Sequence, residues 1–314
     1  MKTVCTENMT RDEWIKFRKN YIGGSDAAAI IGLNPFVTPY SLWAEKTDRL
    51  PEREDTEAMR QGRDLEQYVA DRFTEETGLE TSKPNEMYFS NDYPFAMANI
   101  DRWIDKGNIG LECKTTSSLN LKRFKNGEYP NNYYVQCVHY MAVTGAKKWY
   151  LAALVLNKGF YVYEIERDEQ EINSLMDAEQ EFYENYIVTD SPPPVDGEIP
   201  TTEAINTIFN TVSDFNKISL FGREKQIEQY FLLRKKISEY EQMKEQIEQE
   251  LKLDLGEHEQ GVEGKYLVSW KKTSRCTFDS KRFAEENPHL NLNEYYKTKH
   301  YRRFNIKEMK EETR

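Results

Sequence analysis

Cysteine, histidine and long apolar runs are all scarce in this chain, and each shortage removes a class of protein. Among 314 residues there are 4 cysteines (Cys5, Cys113, Cys137, Cys276), with no CxxC pair and no density that would build a disulfide framework. Such usage fits reduced thiols in a cytoplasm. The 4 histidines stand at 139, 258, 289 and 300, without zinc-site spacing, and His139, alone on a helical stretch, reads as a structural residue. No apolar run approaches the roughly 20 residues that span a bilayer. The opening MKTVCTENMTRDEW lacks the apolar stretch of a signal peptide. No internal repeat is visible.

What the chain does have is charge, unevenly spread. Charged residues make up 31% and hydrophobic ones 38%, with a net charge of −11, which argues against a general nucleic-acid coat protein. The excess acid lies in the first 215 residues. Residues 216–314 carry 21 Lys and Arg against 18 Asp and Glu, and 265–310 alone carry 12 against 5. An acidic body with a basic tail still permits local contact with DNA. The length suits one large domain or two smaller ones.

Periodicity and punctuation sketch the order of elements. TRDEWIKFRKN reads as a helix with Thr10 as N-cap and Glu13 at the capping-box position. A short helix is expected to start near Asp26, another near Pro39, and a third over RDLEQYVADRFTEETG, ended by Gly78. Short strands then cover EMYFS, FAMANIDRWI and IGLECKTT, and PNNYYVQCVHYMAVTG is a helix closed by Gly145. Two β-rich runs joined by a Lys-Gly turn and a helix over 168–187 complete an α/β or α+β core. The proline run SPPPVDGEIP marks a linker, placing a core at 1–190, a linker at 191–204, a long amphipathic helical arm at 205–260 and a basic, aromatic-rich β segment at 261–314.

The stretch NIDRWIDKGNIGLECKTT carries the chemistry. If Lys106-Gly107 is a two-residue turn, Asp101 faces Glu112; if the turn is Gly107-Asn108, Asp101 faces Lys114. Strand side chains alternate, so Glu112 and Lys114 share a face, and either register gathers the two acids and the lysine. Converging carboxylates repel unless something neutralises them. A divalent cation such as Mg2+ does so while leaving positions for water and phosphate. Further along, Glu66 shares a helix face with Val69, Ala70 and Phe73, where a carboxylate needs a partner, and Gln136, Tyr140 and Val143 align on another helix. Gly23-Gly24-Ser25 ahead of a helix offers free N–H groups and a hydroxyl, either to a phosphate or simply as a cap.

The ordered set FRKNYIGGSDAAAIIGLNPF, GRDLEQYVADRF, ANIDRWI, LECKTT and YYVQCVHYMAVTG resembles the PD-(D/E)XK nuclease core of the phage-type recombination exonucleases, the YqaJ and lambda exonuclease family, over residues 10–167. The resemblance implies a mixed central sheet flanked by helices, with Asp101, Glu112 and the backbone carbonyl of Cys113 as metal ligands and Glu66 completing the site directly or through water. It implies that Lys114 assists the nucleophilic water, that Gln136 and Tyr140 hold the scissile strand and Lys114, and that Arg18 and Ser25 grip a 5′-phosphate. Two Mg2+ ions per site (Mn2+ substituting), double-stranded DNA ends as substrate, a RecT-like annealing protein as partner and a homo-oligomeric ring, with three copies the candidate size, follow from the same likeness. The activity implied is 5′→3′ exonuclease action on linear duplex in prophage recombination, with no membrane involved. Iron–sulfur relatives of the RecB type need an early cysteine and a late cysteine cluster, which this chain lacks. The rival readings are a restriction- or Cas4-like endonuclease without the cluster and a degenerate nuclease fold acting as an adaptor. In 265–310, Lys271, Lys272, Arg275, Arg302 and Arg303 interleave with Trp270, Phe278, Tyr296, Tyr301 and Phe304, a pattern for nucleic-acid contact or for an aromatic core.

Overall fold

A computed structural model describes residues 1–52, 55–211, 217–298 and 301–309, so His300 lies outside the described residues. In chain order the elements are β1 (Lys2–Cys5), α1 (Arg11–Lys19), α2 (Gly24–Ile30), α3 (Pro39–Lys46), α4 (Glu57–Thr77), β2 (Glu86–Phe89), β3 (Met97–Asn99), β4 (Arg102–Asp105), β5 (Ile109–Thr116), α5 (Asn131–Thr144), β6 (Lys148–Val155), β7 (Gly159–Glu166), α6 (Glu169–Phe182), α7 (Ile199–Ile208), α8 (Glu224–Leu255), β8 (Gln260–Glu263), β9 (Tyr266–Ser269) and α9 (Ser280–Glu286). They divide into a unit over Met1–Asn210 and a second over Thr211–Arg314.

The first unit is built on a four-stranded mixed sheet, β4-β5-β6-β7, beside a three-stranded sheet, β1-β2-β3. β5 and β6 are parallel, joined through the crossover helix α5, while β4 and β7 run antiparallel at the edges. The chain leaves one sheet at Asn99 and enters the other at Arg102, so Asp101 sits at the junction, outside either ladder. Near that junction the register follows the first of the two expected hairpins: Arg102 pairs with Leu111 and Trp103 with Gly110, which sets Asp101 against Glu112. The turn itself differs from both two-residue forms. Asp105 pairs with Ile109, a bulge lies between Trp103 and Asp105, and Gly107 adopts φ 84°, so three residues close the loop.

The helix signals hold where local chemistry sets them. Thr10 and Glu13 exchange side-chain and backbone hydrogen bonds at the start of α1, and Gly78 and Gly145 close α4 and α5 in the left-handed conformation. Two boundaries move. α2 starts at Gly24, earlier than expected near Asp26, because Asp26 accepts from the Gly23 N–H at 3.0 Å. Residues 191–204 do not behave as a linker: α7 lays buried Thr201 and Ala204 against the first unit, with the Thr38 and Thr201 hydroxyls 2.7 Å apart. The apolar face of α7 outweighs the proline run before it, and the unit boundary falls after Asn210.

One buried ion pair in this unit has a pH signature. His139 is fully enclosed, with Nδ1 2.8 Å from Glu179 Oε1 and Nε2 2.9 Å from the Met97 carbonyl. Both ring nitrogens therefore face acceptors, which suits the imidazolium. Burial works against that charge, but Glu179 and the Met97 carbonyl raise the His139 pKa overall. Burial also raises the Glu179 carboxyl, against the pull of His139. Both groups hold protons more tightly folded than unfolded. The Glu179 contribution is therefore full only below about pH 4.3 and the His139 contribution below about pH 6.5, and each is lost as pH climbs through its folded value. Melting curves from pH 6 to 9 are expected to show a shallower decline for the double variant His139→Gln with Glu179→Gln, in which neither group titrates, than for the parent chain.

The second unit holds α8, the β8–β9 hairpin and α9. The expected strands around YRRFNI are absent among its described residues, where 301–309 run without regular structure. No helix of the described residues is long and apolar enough to cross a membrane.

Candidate active site

A cleft of about 900 Å³ in the first unit is lined by every residue singled out from the sequence: Arg18, Ser25, Glu66, Asp101, Glu112, Cys113, Lys114, Gln136 and Tyr140. They reach it from five elements and one junction. α1 supplies Arg18, α2 Ser25, α4 Glu66, β5 the Glu112–Lys114 stretch, α5 Gln136 and Tyr140, and the β3–β4 junction Asp101. α2 lies tightly on α5 because residue 24 is glycine: a Cβ there would come within 2.6 Å of the Tyr140 ring and 3.0 Å of Gln136 Cγ. A larger concavity, about 1110 Å³ between Gly32 and Pro200, is lined by Glu128, Glu171, Asp196 and Glu198, all exposed, so size does not identify the site.

At the floor, side chains interlock. Lys114 Nζ lies 2.5 Å from Glu112 Oε1 and donates to Gln136 Oε1 at 2.8 Å. Gln136 Nε2 lies 2.7 Å from both Glu112 Oε1 and the Tyr140 hydroxyl. The Asp101 carboxylate accepts from the Cys113 N–H at 2.8 Å. Glu112 is buried, yet its second oxygen, Oε2, has no hydrogen-bond partner. Burial, then the neighbouring Glu112 and Glu66, push the Asp101 carboxyl well above its ordinary range. Burial raises Glu112 too, against the attraction of Lys114. Burial acts to discharge Lys114, but Glu112 and Asp101 outweigh it and keep the ammonium protonated.

A strained acid pair with an orphaned buried oxygen fits a hard divalent cation, and the donors here are all oxygens. Among the described residues no three His, Cys, Asp or Glu side chains group closely enough to hold a metal alone. One or two carboxylates can hold a hard divalent cation whose shell is completed by water and substrate oxygens. Glu66, expected to complete the site directly or through water, lines the same cleft. It pairs with the buried Arg102 guanidinium and, at 3.1 Å, with Lys83, so it borders the acids and is not grouped with them as a third ligand. Arg102 also bonds Gln67 Oε1 at 2.9 Å, tying α4 to β4.

The other end of the cleft is cationic. Arg18 donates to the Ser25 hydroxyl, lies 3.3 Å from Asp26 Oδ1, and stacks over Trp14 at 5.4 Å. Asp26 in turn sits 2.7 Å from Lys46 Nζ, itself almost fully enclosed and close to the Arg18 and Tyr21 carbonyls. Burial would raise Asp26, but Lys46 and then Arg18 hold its carboxyl far below the usual range. Reading the sequence missed Lys46, Arg102 and Trp14. Arg102, the only cation inside the apolar ANIDRWI, was the one with a visible signal, since Glu66 needed a partner.

The YqaJ-like viral recombinase domain matches residues 13–147, a span that includes every candidate site residue of this cleft. The chain belongs to the YqaJ-like viral recombinase family. It is 35% identical to the protein YqaJ of Bacillus subtilis (strain 168) over 305 residues, covering 96% of this chain and 95% of that protein. Among solved structures it is similar to an alkaline exonuclease from Laribacter hongkongensis (19% identity, TM-score 0.45, 57% of this chain and 98% of the other). Another is a phage-related exonuclease from Haemophilus somnus 129PT (14% identity, TM-score 0.42, 55% of this chain and 96% of the other).

Proposed function

We propose that the chain is a Mg2+-dependent exonuclease that degrades one strand of linear double-stranded DNA in the 5′→3′ direction during prophage recombination. The observation that carries this reading is the buried Asp101–Glu112–Lys114–Gln136 cluster, with Glu112 Oε2 unpartnered, opening onto the same cleft as Arg18 and Ser25.

Asp101, Glu112 and the Cys113 carbonyl would hold the metal, with Mn2+ able to substitute and two ions the expected number. A strand residue sends its N–H and C=O to the same edge, so the carbonyl of Cys113, whose N–H meets Asp101, faces the acids. Bound there, a divalent ion supplies polarisation of the scissile phosphate and a more acidic water. Lys114, kept cationic, donates to the attacking water or to the phosphate oxygen that gains charge. Gln136 fixes Lys114 and Glu112 at once, and Tyr140 fixes Gln136. Glu66 holds the site's edge through Arg102, reaching a metal only through water.

Arg18 and Ser25, which open onto the same cleft, would hold a 5′-phosphate and so give the polarity. Arg18→Ala should remove a charge-assisted contact of about 1.5–3 kcal/mol, roughly 10- to 100-fold. The loss is expected in KM on 5′-phosphorylated duplex, with little change on 5′-hydroxyl duplex. The basic tail supports nucleic-acid contact in the second unit, because Trp270, Phe278, Tyr296, Tyr301 and Phe304 are exposed rather than packed inward. Action in the cytoplasm, hand-over of the single strand to a RecT-like annealing protein and assembly of a homo-oligomeric ring complete the proposal.

The test is linear 5′-phosphorylated duplex against closed circular duplex, end-labelled, with Mg2+ and with chelator. Release of nucleotides from linear DNA only, dependent on metal, is the expected result. Cutting of the closed circle would establish the endonuclease rival, and no hydrolysis of either would leave the adaptor reading.

A further inference from the structure

α8 is a 32-residue helix with a stripe of apolar side chains left open to solvent. Tyr230, Leu233, Ile237, Tyr240, Ile247 and Leu251 are between 39% and 67% exposed. Their spacings of three and four residues are those of heptad a and d positions, with Lys244 filling the remaining a position. In proteins most helical stability comes from packing of an apolar face, and a long exposed apolar seam marks a surface that a partner can cover.

We propose that α8 pairs with α8 of a second copy of this chain, antiparallel, about a twofold axis near residue 242. Charge along the helix selects this occupant and this direction. The positions flanking the seam are Arg234 and Lys236 in the first half and Glu248 and Glu250 in the second. Antiparallel overlap centred at 242 stacks Leu233 on Leu251 of the second copy and Ile237 on its Ile247. It also sets Arg234 against Glu248 and Lys236 against Glu250, each twice by symmetry. Only Glu241 meets its own kind beside the axis. A parallel pair would instead bury Lys244 against Lys244, whereas the antiparallel one lays its stem and ammonium on the Tyr240 ring. The pairing is separate from the catalytic cleft, which lies wholly in the first unit.

The test is the mass of the full-length protein in solution, by light scattering or sedimentation. Ile237→Asp with Ile247→Asp alters side chains that are exposed within one chain, so the fold stays intact and the assembly mass is expected to halve. In a background with the exposed Cys5 and Cys276 changed to serine, oxidising a mixture of Ile237→Cys and Ile247→Cys chains should cross-link the two kinds. Either kind alone should stay uncross-linked. Cross-linking of each kind with itself would mean parallel helices and overturn the proposal. So would a protein whose mass is unchanged by the paired aspartates, or one that is monomeric at about 100-fold the concentration used in activity assays.

Discussion

Asp101→Asn is expected to lower DNA hydrolysis by about 10³-fold while raising the melting temperature in chelating buffer. The two effects have one cause. Asp101 lies at the cleft floor, where burial and the charges of Glu112 and Glu66 make its ionised form costly. Asparagine keeps the oxygen that accepts from the Cys113 N–H and removes the charge, so the metal-free fold is relieved of a repulsion. In the proposed role, a metal would lose a ligand, and transition-state stabilisation of several kcal/mol would go with it, each 1.4 kcal/mol being tenfold in rate. Titrating Mg2+ separates the effects without any assay of activity. The parent chain should gain about 2.7 kcal/mol of stability at 100 times its dissociation constant, and the variant far less. A variant that melts lower in chelator would show that the acid pair is not strained. One that keeps both its activity and its Mg2+ stabilisation would remove Asp101 from the metal site.

That strain was legible in the residues because it depends on register, and register follows from alternation in β5 and a short turn. The pairing of Arg102 with Leu111 sets Asp101 against Glu112 although the loop is a bulged three-residue form. The same is true of caps and stops: Thr10, Gly78 and Gly145 act through bonds to residues three or four away. Pairings between distant segments were not legible. Glu66 was seen to need a partner, but its capture by Arg102 across 36 positions depends on how α4 packs on the sheet. The proline run failed as a boundary for a similar reason, since Thr201 and Ala204 are buried only once α3 has offered them a surface.

Lys46 makes the same point at the opposite end of the cleft, and its loss should be strongly destabilising. Lys46→Met removes the closest cation to Asp26 and two donors to the carbonyls of Arg18 and Tyr21. Breaking one side of a buried pair costs about 3–5 kcal/mol, because the other charge is left without solvent or partner. Arg18 still faces Asp26 at 3.3 Å, so the lower end, about 3 kcal/mol, applies. For a unit of this size that is a fall of about 6–12 °C in melting temperature. The sign of its pH dependence follows from Asp26. In the parent chain the Asp26 pKa is depressed, so its contribution is present above about pH 4 and is lost as acid protonates it. In the variant burial dominates, the folded pKa rises above the unfolded value, and stability falls as pH climbs through it. Both trends narrow the gap between the two proteins in acid, so the deficit should be largest near pH 7 and shrink towards pH 4. The double change Lys46→Met with Asp26→Asn should recover most of the loss at pH 7, since no buried charge is then stranded. A single variant as stable as the parent at pH 7 would mean that Arg18 alone neutralises Asp26. The cationic end of the cleft would then have one Arg18 guanidinium committed to the fold and withdrawn from phosphate.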